Sequence, residues 1–328
     1  MRVRSERDHP DPAPSDGSYH GGMPFSGPLF ERAASAPPVP RGLPLVIALT
    51  GFTDAGSAVS RVIDYVRDDL SPSPLVVFSN DTLLDYRARR PIVSFEKDHL
   101  TDYRPPRLEL SFAHDSLGQP FLVLAGYEPD FAWDAFSAAV VELSELYGVS
   151  TVTWVHAIPM PVPHTRPIGT TVSGTRTELT EAHSVWQPHT QVPATAGHLL
   201  EYRLAQAGAR VAGFVLLVPH YLGDSEYPAA ALAALDSLTV ATGLVFAGDE
   251  LRDENREYLE KVTEQIEGSD ELARMVQGLE ERYDSYMAGS TLATPMIHTG
   301  DLPSADELAA ELERFLATRR PEDDKRGS

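Results

Sequence analysis

The chain has 328 residues, 42% of them hydrophobic and 23% charged, enough for one large domain or two with an ample core. Its formal net charge of −21 argues against a nucleic-acid groove or an anionic membrane as partner. With no cysteine at all, disulfides, thiolate chemistry and cysteine metal sites are excluded. No apolar run is long enough to span a bilayer, and Met1–Asp8 lack the apolar core of a signal peptide, so a cytoplasmic location is expected. Only 3 of the 27 basic residues are Lys, which leaves 24 Arg, the bias of a GC-rich genome.

Residues 1–40, rich in Pro, Ser, Gly and charge, read as a disordered tail. The α/β core, residues 41–247, opens with Leu45-Val-Ile-Ala-Leu49, a near-continuous apolar run of the kind that is covered on both faces of a parallel sheet. Gly51-Phe-Thr-Asp-Ala-Gly56 makes a tight turn, and Asp54 can cap the helix carrying Val59, Val62, Ile63, Val66 and Leu70 on one face. A second strand follows at 75–79. Strands are also expected at 92–95, 108–112 and 120–126, with a polar connection between the first two and a hairpin turn at Asp115–Gly118. A long amphipathic helix spans 131–147 and stops at Gly148.

The strand at 149–155 is expected to end at His156, followed by a stiff loop of four prolines from Ala157 to Pro167. A short strand at 168–175, a helix at 194–207, a last buried strand at 211–218 and a helix at 228–242 complete the core. Residues 248–301 read as a helical hairpin or lid, with 13 acidic and 5 basic residues between Asp249 and Asp284 and a break near Gly268. Ser304 and Glu307 form a capping box for a closing helix at 302–320 that buries Leu308, Leu312, Phe315 and Leu316 on the core; 321–328 is a charged tail.

Ligands of open α/β sheets bind beyond the carboxyl ends of the strands. The candidates there are Gly51, Asp54, Asp85, Arg87, Arg90, His156, His164, Arg166, His220 and Tyr221. The Gly51–Gly56 turn can offer N–H groups to an anion, yet it has neither a Walker lysine nor a third dinucleotide glycine, and a capped tight turn is the favoured reading. Arg87, Arg89 and Arg90 can grip a carboxylate or phosphate, or pair with acidic neighbours. His156 and His220, at the ends of adjacent strands, can face each other as acid and base. No spacing supports a metal or a cofactor, and no nucleophile elbow is present.

Four motifs in chain order carry a resemblance. Gly51-Phe-Thr-Asp-Ala-Gly56, Asp85-Tyr-Arg-Ala-Arg-Arg-Pro91, Pro163-His-Thr-Arg-Pro167 and Val218-Pro-His-Tyr-Leu222 resemble the signatures of the second proteasome assembly chaperone family, in its actinobacterial branch. The resemblance covers about Leu43 to Ser290. It implies a three-layer α/β/α sandwich similar to the nucleoside phosphorylase and hydrolase fold, a C-terminal helical lid, homo-oligomers such as trimers, and a protein partner in complex assembly. The end, Asp323–Ser328, lacks the hydrophobic-Tyr-x motif by which some members dock into proteasome pockets. Two functions follow: a non-enzymatic assembly, scaffold or small-ligand-binding protein, or a nucleosidase- or phosphorylase-like enzyme using the strand-end pocket.

Overall fold

The computed structural model describes residues 28–185 and 191–288, and its first element corrects the tail reading. Strand β1 (Phe30–Arg32) pairs antiparallel with β3 (Ser73–Phe78), and Leu29 and Phe30 pack on the core. Three residues suffice because they only have to cover the outer edge of a sheet that is already formed. Between β1 and β3 lie β2 (Leu45–Thr50) and α1 (Ala58–Asp68).

The short helix α2 (Asn80–Leu83) leads to a hairpin, β4 (Ile92–Glu96) and β5 (His99–Arg104), which forms a two-stranded sheet of its own. The stretch expected to be a polar connection is therefore half strand. Then come β6 (Leu108–His114), β7 (Pro120–Tyr127), α3 (Trp133–Tyr147), β8 (Val152–Met160), β9 (Gly169–Gly174), α4 (Thr177–His183), α5 (Ala196–Gln206), β10 (Val211–Pro219) and α6 (Pro228–Thr242). The hairpin of α7 (Asp249–Glu267) and α8 (Asp270–Ala288) closes the described chain. The expected closing helix at 302–320 lies outside the described residues.

The eight-stranded sheet has the order β1-β3-β6-β7-β2-β8-β10-β9. Its centre, β7-β2-β8-β10, is parallel. Alternation along β2 divides the core: Leu45 and Ile47 face α3 and α5, while Val46 and Ala48 face α1 and α6. Phe136, Val140 and Leu143 of α3 and Leu200 and Leu204 of α5 fill one side; Val59, Val62 and Ile63 of α1 and Ala230, Ala234 and Leu238 of α6 fill the other. The result is a three-layer α/β/α sandwich, with α7 packed on the α6 layer through Leu251 and Val262.

One difference bears on the site. Strand β8 runs on to Met160, so His156 lies within it, level with Val215 of β10, rather than at its end. Pro159 is tolerated there because β8 has outrun β2, whose pairing with it ends at Ala48 and Val155.

Candidate functional site

The connection leaving β2 goes one way, to β3, and the one leaving β8 goes the other, to β9 and β10, so a crevice opens between the ends of β2 and β8. The Gly51–Gly56 turn fills its mouth. Asp54 spends its carboxylate on α1: Oδ1 accepts from Val59 N at 2.7 Å, and Oδ2 accepts from Ser60 N at 2.9 Å and from the Ser60 hydroxyl at 2.7 Å. The two backbone N–H groups belong to the first turn, where no intrahelical carbonyl is available, so Asp54 caps the helix. Gly56 adopts φ +68° and ties the turn to the β10–α6 connection, its N–H donating to Gly223 O and its carbonyl accepting from Tyr227 N.

Glu128, at the end of β7, is the buried hub. Its Oε2 accepts from Phe52 N at 3.0 Å and its Oε1 from Ala196 N, in the first turn of α5, at 2.5 Å. A β-carbon on Gly51 would stand 1.8 Å from Glu128 Oε2, so only glycine lets this carboxylate in. Arg89 Nη1 donates to Glu128 O at 2.6 Å, and Arg89 Nη2 pairs with Asp130 at 3.0 Å.

Beside the hub, Thr53 Oγ1 lies 3.2 Å from His156 Nε2, and the His156 ring is 6.1 Å from that of His198. Burial pushes the His156 pKa down to about 4, helped by His198 and opposed by Asp54. His198 is also lowered by burial; its Nδ1 accepts from Thr195 N at 3.1 Å and completes a capping box on α5. Trp154 stacks edge-on against His198 and donates its indole N–H to Glu201 at 2.7 Å.

A second cluster sits under α8. His164 N donates to the Tyr221 hydroxyl at 2.8 Å, and His164 Nδ1 lies 2.7 Å from the same oxygen. Burial lowers the His164 pKa and raises that of Tyr221 to about 12. Arg166 grips Asp284 of α8 with two bonds, Nε to Oδ1 at 2.8 Å and Nη2 to Oδ2 at 2.6 Å, and Nη1 reaches Glu280 at 3.3 Å. Arg166 is thus a fastener between the β8–β9 loop and α8. Replacing it with Ala should speed hydrogen exchange over 280–288 while moving Tm little, because partly exposed ion pairs contribute only about 0–1 kcal/mol. Unchanged protection of α8 in that variant would dismiss the fastener.

The expected residues therefore gather on one edge but play unequal parts. Gly51, Asp54 and His156 meet at the crevice, while His164, Arg166 and Tyr221 meet under α8. His220 lies five positions beyond the level of His156 and stacks on Tyr221 at 5.4 Å, so the two histidines do not face each other. Asp85 accepts from Arg87 N at 2.9 Å, and its own N–H donates to Asp130. Arg87 and Arg90 are exposed, and their neighbour Arg89 is the one that turns inward. Sequence reasoning weighed Arg89 only together with Arg87 and Arg90, and left Glu128, Thr53 and His198 out of its candidate residues. A charge directly after the apolar run Phe121–Tyr127, and His198 three places after Thr195, were the available signals.

The fold is a three-layer α/β/α sandwich whose switch point carries this cluster of polar side chains, with a helical hairpin packed on one layer. The chain belongs to the PAC2 family, whose model matches residues 48–266. It is similar to a protein of unknown function from Corynebacterium glutamicum, with 37% identity over 78% of this chain and 97% of that one and a TM-score of 0.75. A Mycobacterium tuberculosis protein of unknown function, Rv2714, shares 40% identity over 83% of this chain and 92% of its own, with a TM-score of 0.74. The M. tuberculosis proteasome-assembly chaperone homologue Rv2125 is 21% identical over 71% of this chain and all of its own, with a TM-score of 0.65, a likeness of fold. No curated protein matches. Among the described residues no helix is long and apolar enough to cross a membrane.

Proposed function

We propose that this protein is a non-enzymatic assembly or scaffold protein of the cytoplasm that works through protein–protein contacts, including contacts with its own copies. The observation that carries the reading is the β4–β5 arm. Ile92 and Phe95 are each 70% exposed and Leu100 64%, with Val93 and Tyr103 also exposed, on a hairpin that among the described residues pairs with no other strand. An isolated two-stranded hairpin is marginal in water, and an apolar one calls for a covering surface. An arm on one edge that meets a different surface of the next copy makes a heterologous contact, and such contacts close into rings, of which a trimer is the smallest. Family membership supports the chaperone-like role.

The same reading accounts for Glu128. Its carboxylate already occupies the N–H groups of Phe52 and Ala196, where a substrate phosphate would have had to bind at the start of α5. That weighs against the phosphorylase-like alternative. Light scattering after gel filtration tests the proposal: the native chain should run as a multiple of its 35.8 kDa mass. Phe95→Ser with Leu100→Ser should release monomers that keep the native far-UV circular dichroism, with a Tm lowered toward that of the isolated subunit. A native chain that is monomeric, or an assembly indifferent to these changes, would end the arm's role.

A further inference from the structure

At the opposite end of the sheet from the crevice, a cleft of about 170 Å³ opens beside the starts of β8 and β10, between the last turns of α3 and α5. One water needs only about 10–15 Å³, so the cleft admits a long side chain. The chain path creates it. Helix α3 turns into β8 at Gly148 and α5 into β10 at Gly208, with left-handed φ of +62° and +81°, and the two helix ends stand apart there. Val141, Val149, Val152 and Leu204 give the cleft apolar walls, and Ser144 and Glu145 also line it.

Its charge calls for a cation. Helix α3 carries Asp134, Glu142 and Glu145 and no basic residue. Glu145 lies in the last turn, where the helix dipole disfavours a carboxylate, and it enters no ion pair among the described residues. A charge placed where it weakens its own helix, and matched by nothing in the chain, points to a partner outside it. At the end of α5 the carbonyls of Ala207 and Gly208 accept no hydrogen bond among the described residues. Arg210 also lines the cleft, but its guanidinium is paired with Glu178 at 3.4 Å.

Arg41 shows what such a helix end takes. Its guanidinium donates to Leu146 O at 2.9 Å and to Glu145 O at 3.4 Å. A β-carbon on Gly148 would stand 2.8 Å from its Nε and Nη2, so glycine keeps the guanidinium in place. We propose that the cleft receives an arginine side chain from a partner protein, with its methylene stem along Val141, Val149 and Leu204 and its guanidinium at Glu145 and the carbonyls ending α5. The planar fork suits a carboxylate beside carbonyls better than an ammonium does, whereas an anionic group would meet Glu145 and two helix C-termini. A molecule of net charge −21 also draws basic partners to its surface. The proposal rests on the protein-contact reading for the source of the arginine. It does not involve the β4–β5 arm, which follows the carboxyl end of β3.

The test titrates the full chain with the peptide Gly-Gly-Arg-Gly-Gly amide, read by saturation-transfer NMR of the peptide. The peptide should bind, and the same peptide with citrulline for arginine, which keeps the shape and loses the charge, should bind about tenfold more weakly. Glu145→Gln should weaken the arginine peptide roughly fivefold, the scale of one exposed charge contact. Ala207→Trp, at an exposed position on the cleft wall, should abolish binding while the circular dichroism stays native. Phe95→Ser with Leu100→Ser should leave peptide binding unchanged, so failure of the arm and failure of the cleft read differently. Equal binding of the citrulline peptide, indifference to Glu145→Gln or to Ala207→Trp, or no arginine-peptide signal at about 10 mM would overturn the proposal. So would an assembly that falls apart with Glu145→Gln, because the occupant would then be a second copy.

Discussion

Gly51→Ala should destabilise the protein by about 3–5 kcal/mol, the range for breaking a buried charge-assisted hydrogen-bond pair. For a chain of this size that lowers Tm by roughly 10 °C. The new methyl group would need the space of the Glu128 carboxylate, with Oε2 at 1.8 Å and Cδ at 2.5 Å. Expelling Glu128 leaves Phe52 N and Ala196 N without their acceptor and detaches the β2–α1 turn from α5. A double-mutant cycle identifies the cause. Glu128→Ala alone should cost a similar amount, and adding Gly51→Ala to it should cost little more, because the methyl group then has room. Additive losses, or a Gly51→Ala penalty below about 1 kcal/mol, would mean that the clamp is not what holds this edge.

Acid should weaken the fold before the carboxylates titrate. His156 is neutral in the folded protein down to about pH 4, whereas in the unfolded chain it takes up a proton near 6.5. Between those values the unfolded state binds more protons, so the contribution of His156 is complete above pH 6.5 and is lost as the pH falls toward 4. The difference amounts to about 3 kcal/mol. His198 and His164, both lowered by burial, tilt the curve the same way. His156→Gln, which keeps a polar atom near Thr53, should flatten the stability profile between pH 6.5 and 4 in urea titrations. A profile with the native slope in that variant would remove His156 as its source.

The parts of the fold that sequence reasoning reached are those with a strong period. The apolar stripe of α1, the run of β2, the long helix α3, the alanine-rich α6 and the acidic hairpin α7–α8 all carry their burial pattern locally. What it missed depends on partners far along the chain. His99-Leu-Thr-Asp-Tyr-Arg104 has too few apolar residues to announce a strand and becomes one only by pairing with β4. Phe30–Arg32 is a strand only because β3 has a free edge. The prolines after His156 look like a loop, yet β8 continues because β10 still flanks it. Glu128 shows the same limit at the site: its role depends on Phe52 and Ala196, 76 and 68 residues away. The aspartate of the turn was legible because its donors lie five and six residues ahead.

Asp115 sets how the helical flap can move. Its buried carboxylate accepts from Leu117 N, Gln119 N and Val245 N, joining the β6–β7 turn to the segment just before α7. Burial works against the charge, but those three N–H groups prevail and hold its pKa below the usual range. The flap is thus rooted at the far side of the sheet by a carboxylate whose N–H partners favour its charged form, while the end of α8 is tied to Arg166 by ion pairs that salt screens. Raised ionic strength should loosen the 280–288 end of α8, seen as faster hydrogen exchange there, and leave α7 seated, a fraying about one fixed root rather than a detachment of the whole hairpin.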